Sequence, residues 1–409
     1  MAQAESGAKI LTTQSSFAFN DSQARFERLR ASDRPLRIIL TVNAAWNIWN
    51  FRRPLVAAML ADGHEVIILA PSDTTTNLLN AMGCRVVDLR MDLKGLNPIR
   101  DASLIVRLRQ FFLDQRPDVV FGFTIKNNIY GALAARSVGI PFVPNVTGLG
   151  TAFILRGGLQ ALVQLLYRLA LAKVPKVLFQ NRDDLELFVE RGLVLRARTC
   201  LVPGSGIDLD YFSPSEPQIK GGAIIFLMVA RLLRDKGVYE FAEAARLVRK
   251  VRPDVRFQLL GAAGSANRSA INLETVKGWS ATHGVEYLGT STDVRSEIAN
   301  ANCVVLPSYR EGAPRTLIEA AAMGLPVIAT DVPGCRDVVD DDVSGYLCQV
   351  RSAASLAETC LRFLQLSLSE RDKMGRAGRA KMEREYDVAF VTQTYRDVLK
   401  HVVHECERH

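Results

Sequence analysis

Nothing in these 409 residues makes a cysteine framework. Cys84, Cys200, Cys303, Cys335, Cys348, Cys360 and Cys406 are scattered, odd in number and never spaced Cys-x-x-Cys. That pattern argues for reduced thiols in a cytoplasm and against a disulfide scaffold or a zinc site. No apolar run reaches the ~18 residues that span a bilayer, and the N-terminus lacks the charged, apolar and small-residue order of a secretory signal. No Gly-x-Gly-x-x-Gly follows the first candidate strand, Leu36–Val42, which counts against a nicotinamide dehydrogenase. Low-complexity tracts and exact internal repeats are missing too. What is present, 48% hydrophobic residues and sixteen prolines, describes a soluble globular α/β protein long enough for two domains.

The net charge of +8 is unevenly spread. From Thr151 to Arg182 the chain carries Arg156, Arg168, Lys173, Lys176 and Arg182 and no acid. Inside that stretch, 157–174 is a strongly apolar helix candidate. It reads either as an interdomain core helix or as a helix lying in the surface of an anionic bilayer, with Arg156, Arg168, Lys173 and Lys176 near the headgroups. Aromatic residues do not interleave with these bases, so nucleic acid is not the expected partner.

Apolar runs alternate with helical patterns along both halves. In the first half, strands are expected at 36–42, 65–70, 85–89, 118–121, 141–144, 177–180 and 199–202, and helices at 53–62, 103–116 and 128–138. A turn-rich passage, 203–214, precedes a second cycle with strands at 223–229, 256–260, 285–288, 303–306 and 326–330 and helices at 238–251 and 272–282. After Tyr346 the chain reads as helical to its end. The pattern implies α/β architecture: two doubly wound, Rossmann-like domains facing each other across a cleft. The expected division is a mobile extension over 1–34, a first domain over 35–205 and a second over 206–387. The C-terminal helix, about 388–409, is free to pack back on the first domain.

The second half gathers charged and glycine residues at successive strand ends. Arg231 and Lys236 follow one strand, and two cations there suit a diphosphate that must leave with developing charge. Gly261-Ala-Ala-Gly264 follows the next and permits close approach of a ligand to backbone. Glu311 lies in the loop after Cys303–Leu306, and Glu319 lies seven intervening residues on, inside a helix expected to begin at Pro314 and end before Gly324. The amides of Arg315, Thr316 and Leu317 fall in its first turn, where unpaired N–H groups suit a phosphate. Ionised glutamates accept hydrogen bonds only, which suits sugar and ribose hydroxyls. Val332–Asp337 makes another turn at a strand end beside the same crevice. Each feature alone is ordinary, but their order along one sheet points to a nucleotide diphosphate.

On the Glu-x7-Glu element, the Arg231/Lys236 pair, Gly204–Asp208 and Gly334–Val339, residues 36–400 resemble the family-4 retaining glycosyltransferases of the GT-B fold. The resemblance implies that Arg231 and Lys236 hold the donor diphosphate, that Glu311 touches the donor sugar and that Glu319 takes the ribose. It implies further that the backbone of Gly312, Ala313, Arg315, Thr316 and Leu317 surrounds the phosphate, with Gly261 nearby. No metal or other cofactor is expected, because side-chain cations and helix amides take its place. The stretches 43–55, 124–131 and 145–150 are similar to a subgroup that builds bacterial surface polysaccharides and protein-linked glycans on polyprenyl-diphosphate carriers. That subgroup mostly uses UDP donors.

The same likeness places Thr124, Lys126, Thr147 and Gly148 on the acceptor side, with Lys126 either an acceptor-phosphate contact or an ordinary surface charge. The apolar, acid-free segment then becomes the patch that meets the cytoplasmic face of the plasma membrane. One departure stands out. Where many relatives carry His-x-His after the fourth strand, this chain has Phe121-Gly-Phe-Thr-Ile-Lys126, and its five histidines lie elsewhere. The group that orients the acceptor hydroxyl is therefore open. Two alternatives accompany the transferase reading: a nucleotide-sugar 2-epimerase of the same architecture, and a nucleotide-sugar-binding protein without turnover.

Overall fold

Among the described residues, thirteen short strands, most of them buried, divide into two parallel sheets. A computed structural model describes residues 34–92, 97–149, 158–214, 222–263 and 269–407. The first sheet holds β1 (Arg37–Thr41), β2 (Glu65–Ala70), β3 (Arg85–Asp88), β4 (Val119–Phe123), β5 (Phe142–Val146), β6 (Val177–Phe179) and β7 (Thr199–Leu201). They lie in the order β3-β2-β1-β4-β5-β6-β7. The second sheet holds β8 (Ile225–Val229), β9 (Arg256–Leu260), β10 (Val285–Gly289), β11 (Cys303–Leu306), β12 (Val327–Thr330) and β13 (Gly345–Cys348), in the order β10-β9-β8-β11-β12-β13.

Burial on both faces explains why these strands read as continuous apolar runs rather than as alternation. In β1, Ile38 and Leu40 enter one core cluster and Ile39 enters another, as the period of two requires. The first cluster is covered by the helices Ala45–Phe51 and Arg53–Ala61, and the second by Pro98–Gln115, Ile125–Arg136, Gly158–Leu171 and Arg182–Glu190. The second sheet has its own core, centred on Phe226, Phe241, Phe257 and Phe363.

Strand order reverses between β1 and β4 in one sheet and between β8 and β11 in the other. Loops leaving the carboxyl ends on either side of such a reversal diverge, and the crevice they leave is where ligands bind in open α/β sheets.

The chain crosses between the sheets at two places that touch. The amide of Ile207 donates to the Tyr386 carbonyl at 2.8 Å and that of Val388 donates to the Ile207 carbonyl at 3.0 Å. Just before the second crossing, residues 382–386 form a turn of π-helix. The last helix, Val388–Glu407, then returns to the first sheet, where Val391, Tyr395, Val398, Leu399, Val402 and Val403 complete its core. The Tyr395 hydroxyl meets the Asn145 amide at the end of β5.

Several short helices depart from the expected pattern. Ala45–Phe51, Thr76–Ala81, Arg182–Glu190, Arg295–Asn300 and Cys335–Val338 are helical, although their spans are too short to display a clear 3.6-residue period. The helix expected from Ser103 begins at Pro98, because Asn97 caps it by accepting from the amides of Ile99 and Arg100. Pro314 is the residue before its helix rather than the first residue in it.

Removing part of the returning helix should be costly. Leu399→Ala deletes a side chain buried against the first sheet and is expected to destabilise the chain by about 3 kcal/mol, read by urea denaturation. A midpoint equal to that of the unaltered protein would contradict this packing.

Candidate functional site

Lys236 and Glu311 meet where the second sheet reverses. Lys236 ends a 3₁₀ turn (Arg234–Lys236) that follows β8, and Glu311 lies in the loop that follows β11. The Lys236 Nζ donates to Glu311 Oε1 at 2.5 Å, with both side chains largely buried. Two anchors hold the loops together: the Tyr309 amide donates to the Asp235 carbonyl at 2.9 Å, and the Thr316 hydroxyl donates to the Val229 carbonyl at 2.9 Å. An ammonium carries three donors, so Lys236 can keep Glu311 and still offer N–H groups to an anion in the crevice.

Arg231 also follows β8 but is exposed, and its side chain makes no hydrogen bond or ion pair with any described residue. Gly261 follows β9. A Cβ there would fall 1.7 Å from the Ala230 carbonyl oxygen, so only glycine allows the two loops to touch. Gly264 lies outside the described residues.

The helix Arg315–Ala322 carries the second glutamate inward. Glu319 is 8% exposed, and its Oε1 accepts from Arg315 Nε at 2.7 Å. The same guanidinium donates to Ser205 Oγ at 3.1 Å and lies 5.6 Å from the Phe51 ring of the first sheet's layer. Burial pushes the Glu319 carboxyl above its ordinary value, and Arg315 partly offsets that. One expectation is corrected here. The Leu317 amide is not an open donor, because a tight turn makes it donate to the Pro314 carbonyl at 3.0 Å. The remaining amides of this first turn are those of Arg315 and Thr316.

The first sheet faces this loop at close range. A Cβ on Gly312 would stand 2.1 Å from the Thr147 carbonyl oxygen, and one on Gly148 would touch the Gly312 Cα at 3.4 Å. Thr147, Gly148, Gly312 and Glu311 therefore belong to one junction, as do Gly204 and Ala313. Thr124, at the end of β4, holds an unusual φ of 72° and accepts from the Asn127 amide at 2.9 Å. Such strain in a non-glycine residue at a strand end is a functional pointer.

Lys126 is engaged by a carboxylate of its own domain. Its ammonium donates to Asp101 at 2.7 Å, and Tyr130 donates to the same carboxylate at 2.8 Å. Asp101 lies in the neighbouring helix, so local charge pairing claims this lysine.

The apolar helix candidate forms as Gly158–Leu171. Its inner side, with Val163, Tyr167, Ala170 and Leu171, packs into the first sheet's core, so it is not an interdomain helix. Leu162, Leu165 and Leu169 stand about half exposed on its other side, at the three- and four-residue spacing of one helical face. Lys173 is exposed beyond them, whereas Arg168 donates to the Arg191 carbonyl and Lys176 to the Ala197 carbonyl. Arg156 lies outside the described residues. His401 and His404 sit exposed on the terminal helix.

Three residues escaped the sequence reading: Asn181, Asp184 and Arg310. Asn181 Nδ2 donates to the Gly312 carbonyl at 2.9 Å, and Arg310 pairs with Asp184 across the junction. An Asn followed by two acids is a helix-start signal that would have marked Arg182–Glu190, though not its partner. Among the described residues no group of three His, Cys, Asp or Glu side chains is arranged to hold a metal ion.

Comparison with known proteins agrees with this layout. Residues 212–381 match the family profile "Glycosyl transferases group 1" and residues 48–204 match "Glycosyl transferase 4-like domain". The chain is 27% identical over 385 residues to the N,N'-diacetylbacillosaminyl-diphospho-undecaprenol alpha-1,3-N-acetylgalactosaminyltransferase of Campylobacter jejuni, covering 90% of this chain and 99% of that one. It is 25% identical to the UDP-Gal:alpha-D-GlcNAc-diphosphoundecaprenol alpha-1,3-galactosyltransferase of Escherichia coli over 66% of this chain and 72% of the relative. In fold it is similar to a glycosyltransferase from Rickettsia africae (TM-score 0.74, 18% identity, 90% of this chain and 99% of that one). It is likewise similar to Anabaena HepE, solved with UDP and glucose (TM-score 0.71, 18% identity, 89% and 99%).

The raised Glu319 carboxyl has a consequence for stability. The folded chain holds this proton more tightly than the unfolded chain. Its contribution is therefore full below the unfolded value and is lost as pH rises through the folded one. Glu319→Gln should flatten the decline in stability just above the ordinary carboxylate range, measured by urea denaturation between about pH 4 and pH 7. An unchanged pH slope would show that Glu319 titrates as an ordinary carboxylate.

Proposed function

This chain belongs to the family-4 glycosyltransferases of the GT-B fold, and we propose that it moves a sugar from a UDP-linked donor to a polyprenyl-diphosphate-linked saccharide with retention of anomeric configuration. The observation that carries the reading is the Lys236–Glu311 pair at the strand-order reversal, facing the other sheet across the crevice. Two curated relatives named for undecaprenyl-diphosphate sugars support the acceptor class, and one of them names a UDP donor. Both of these relatives are named as transferases, and the epimerase alternative finds no support in them.

In this reading Arg231 and Lys236 bind the donor diphosphate, and the exposed, unengaged Arg231 guanidinium is available for it. Glu311 accepts from sugar hydroxyls, and Glu319, already held by Arg315, accepts from the ribose. The acceptor hydroxyl enters from the Thr124, Thr147 and Gly148 side and attacks the anomeric carbon on the face that the diphosphate leaves. A new C–O bond forms as the C–O bond to phosphate breaks, and the leaving phosphate oxygen takes the hydroxyl proton. Positioning and charge stabilisation then carry the rate, so neither glutamate serves as a base and no metal is assigned to the step.

The acceptor lipid sits in a membrane, and the Leu162, Leu165 and Leu169 ridge beside Lys173 and Arg168 is the surface proposed to meet it. No helix among the described residues is long and apolar enough to cross a bilayer. The contact in this reading is peripheral, at the cytoplasmic face.

Lys236→Ala and Arg231→Ala should each reduce transfer by about 10²- to 10³-fold while the fold survives. The assay incubates radiolabelled UDP-sugars with lipid-linked acceptors, with and without a chelator, and transfer is expected to persist with it. Near-normal turnover in both variants would remove the diphosphate assignment. For the membrane contact, Leu165→Ser with Leu169→Ser should abolish co-sedimentation with anionic vesicles, and sedimentation indifferent to both changes would contradict the ridge.

A further inference from the structure

The loop that carries Glu311 is held from the opposite sheet as well as from its own. Asn181 caps the helix Arg182–Glu190: its Oδ1 accepts from the Asp184 amide at 2.7 Å. That bond fixes which way the side-chain amide faces. The Nδ2 is left to donate to Asp184 Oδ2 at 3.0 Å and, across the junction, to the Gly312 carbonyl at 2.9 Å. The other oxygen of Asp184 takes the Arg310 guanidinium. Arg310 and Gly312 are the two chain neighbours of Glu311, so one helix end grips the loop on both sides of the glutamate. Asp183, next along, pairs at 3.3 Å with Arg336 of the short helix Cys335–Val338 and adds a third, more exposed contact across the junction.

The chemistry of this grip makes it sensitive to the distance between the sheets. The Asp184 side chain has no exposed surface and Asn181 is 1% exposed. Burial pushes the Asp184 carboxyl upward against the opposing pull of Arg310 and Asn181. A buried carboxylate that loses its cation is costly. The grip therefore exists as a unit when the crevice is closed, and water must replace it when the crevice opens. Nothing in the reaction as described above uses these two residues.

We propose that Asn181 and Asp184 are positioning residues for the transfer reaction, gripping Arg310 and Gly312 so that Glu311 is set against Lys236 and the donor only when the two sheets close. This rests on the assignment of Glu311 to the donor sugar. Neither residue touches substrate. They act through the loop, and the result is a coupling between closure and the orientation of one carboxylate.

The test separates this role from simple helix capping. Asn181→Ser retains a capping oxygen but is too short to reach Gly312, whereas Asn181→Ala loses both. Both are expected to lower kcat by about a hundredfold with the donor KM little changed. Asp184→Asn, which keeps the shape and removes the charge, should act in the same direction. X-ray scattering of the ligand-free variants should give a larger radius of gyration than the unaltered chain. If Asn181→Ser turns over normally while Asn181→Ala does not, the residue is only a cap and the proposal falls. It falls equally if the scattering of all three variants matches the unaltered chain. Should the variants expand while the unaltered chain transfers no sugar, the grip stands and the transferase assignment of the site is what fails.

Discussion

The buried pair of Lys236 and Glu311 is the interaction on which the rest of the site depends. Ion pairs removed from water gain little net stability, yet losing one partner is costly. Such a pair at a strand-order reversal is therefore better understood as a prepared charge arrangement than as a fastening of the fold. Its position follows from topology. β8 and β11 are adjacent, their following loops part company, and the Thr316–Val229 and Tyr309–Asp235 hydrogen bonds keep those loops at a fixed separation.

A second constraint comes from the facing sheet. Thr147 and Gly148 lie so close to Gly312 that backbone meets backbone. The chain passes between the sheets at Ile207 and again at Asp387, and these segments hydrogen-bond to each other. The returning helix then anchors the far end of the chain in the first sheet's core. The residues leading into the first crossing also touch the second sheet's loop, with Gly204 against Ala313 and Ser205 accepting from Arg315 at 3.1 Å.

Much of this was legible in residues alone. The apolar runs at 225–229 and 303–306 are strands because a parallel sheet buried on both faces demands near-continuous hydrophobic side chains. The seven-residue interval between Glu311 and Glu319 marked the loop and the helix correctly, since Pro314 and Gly324 bracket that helix. Short helices were hidden, because two turns show too little period. The Leu317 amide and Lys126, whose role the residues left open, share one feature: each is claimed by a neighbour, Pro314 in one case and Asp101 in the other. A partner on the neighbouring helix, or a tighter turn, changes what a polar group has left to offer.

The sequence by itself determined two parallel α/β layers, their strand ends and the charged residues at them, because local period, turn chemistry and motif spacing are properties of neighbours along the chain. Only the tertiary structure decided that Asn181 and Asp184 meet Gly312 and Arg310, that Arg315 reaches Ser205, and that three leucines of helix 158–171 stay uncovered. Those pairings join residues that are far apart in the chain or depend on what packs above them. Contacts of that kind leave no repeat in the sequence, and they exist only once the two sheets have been brought face to face.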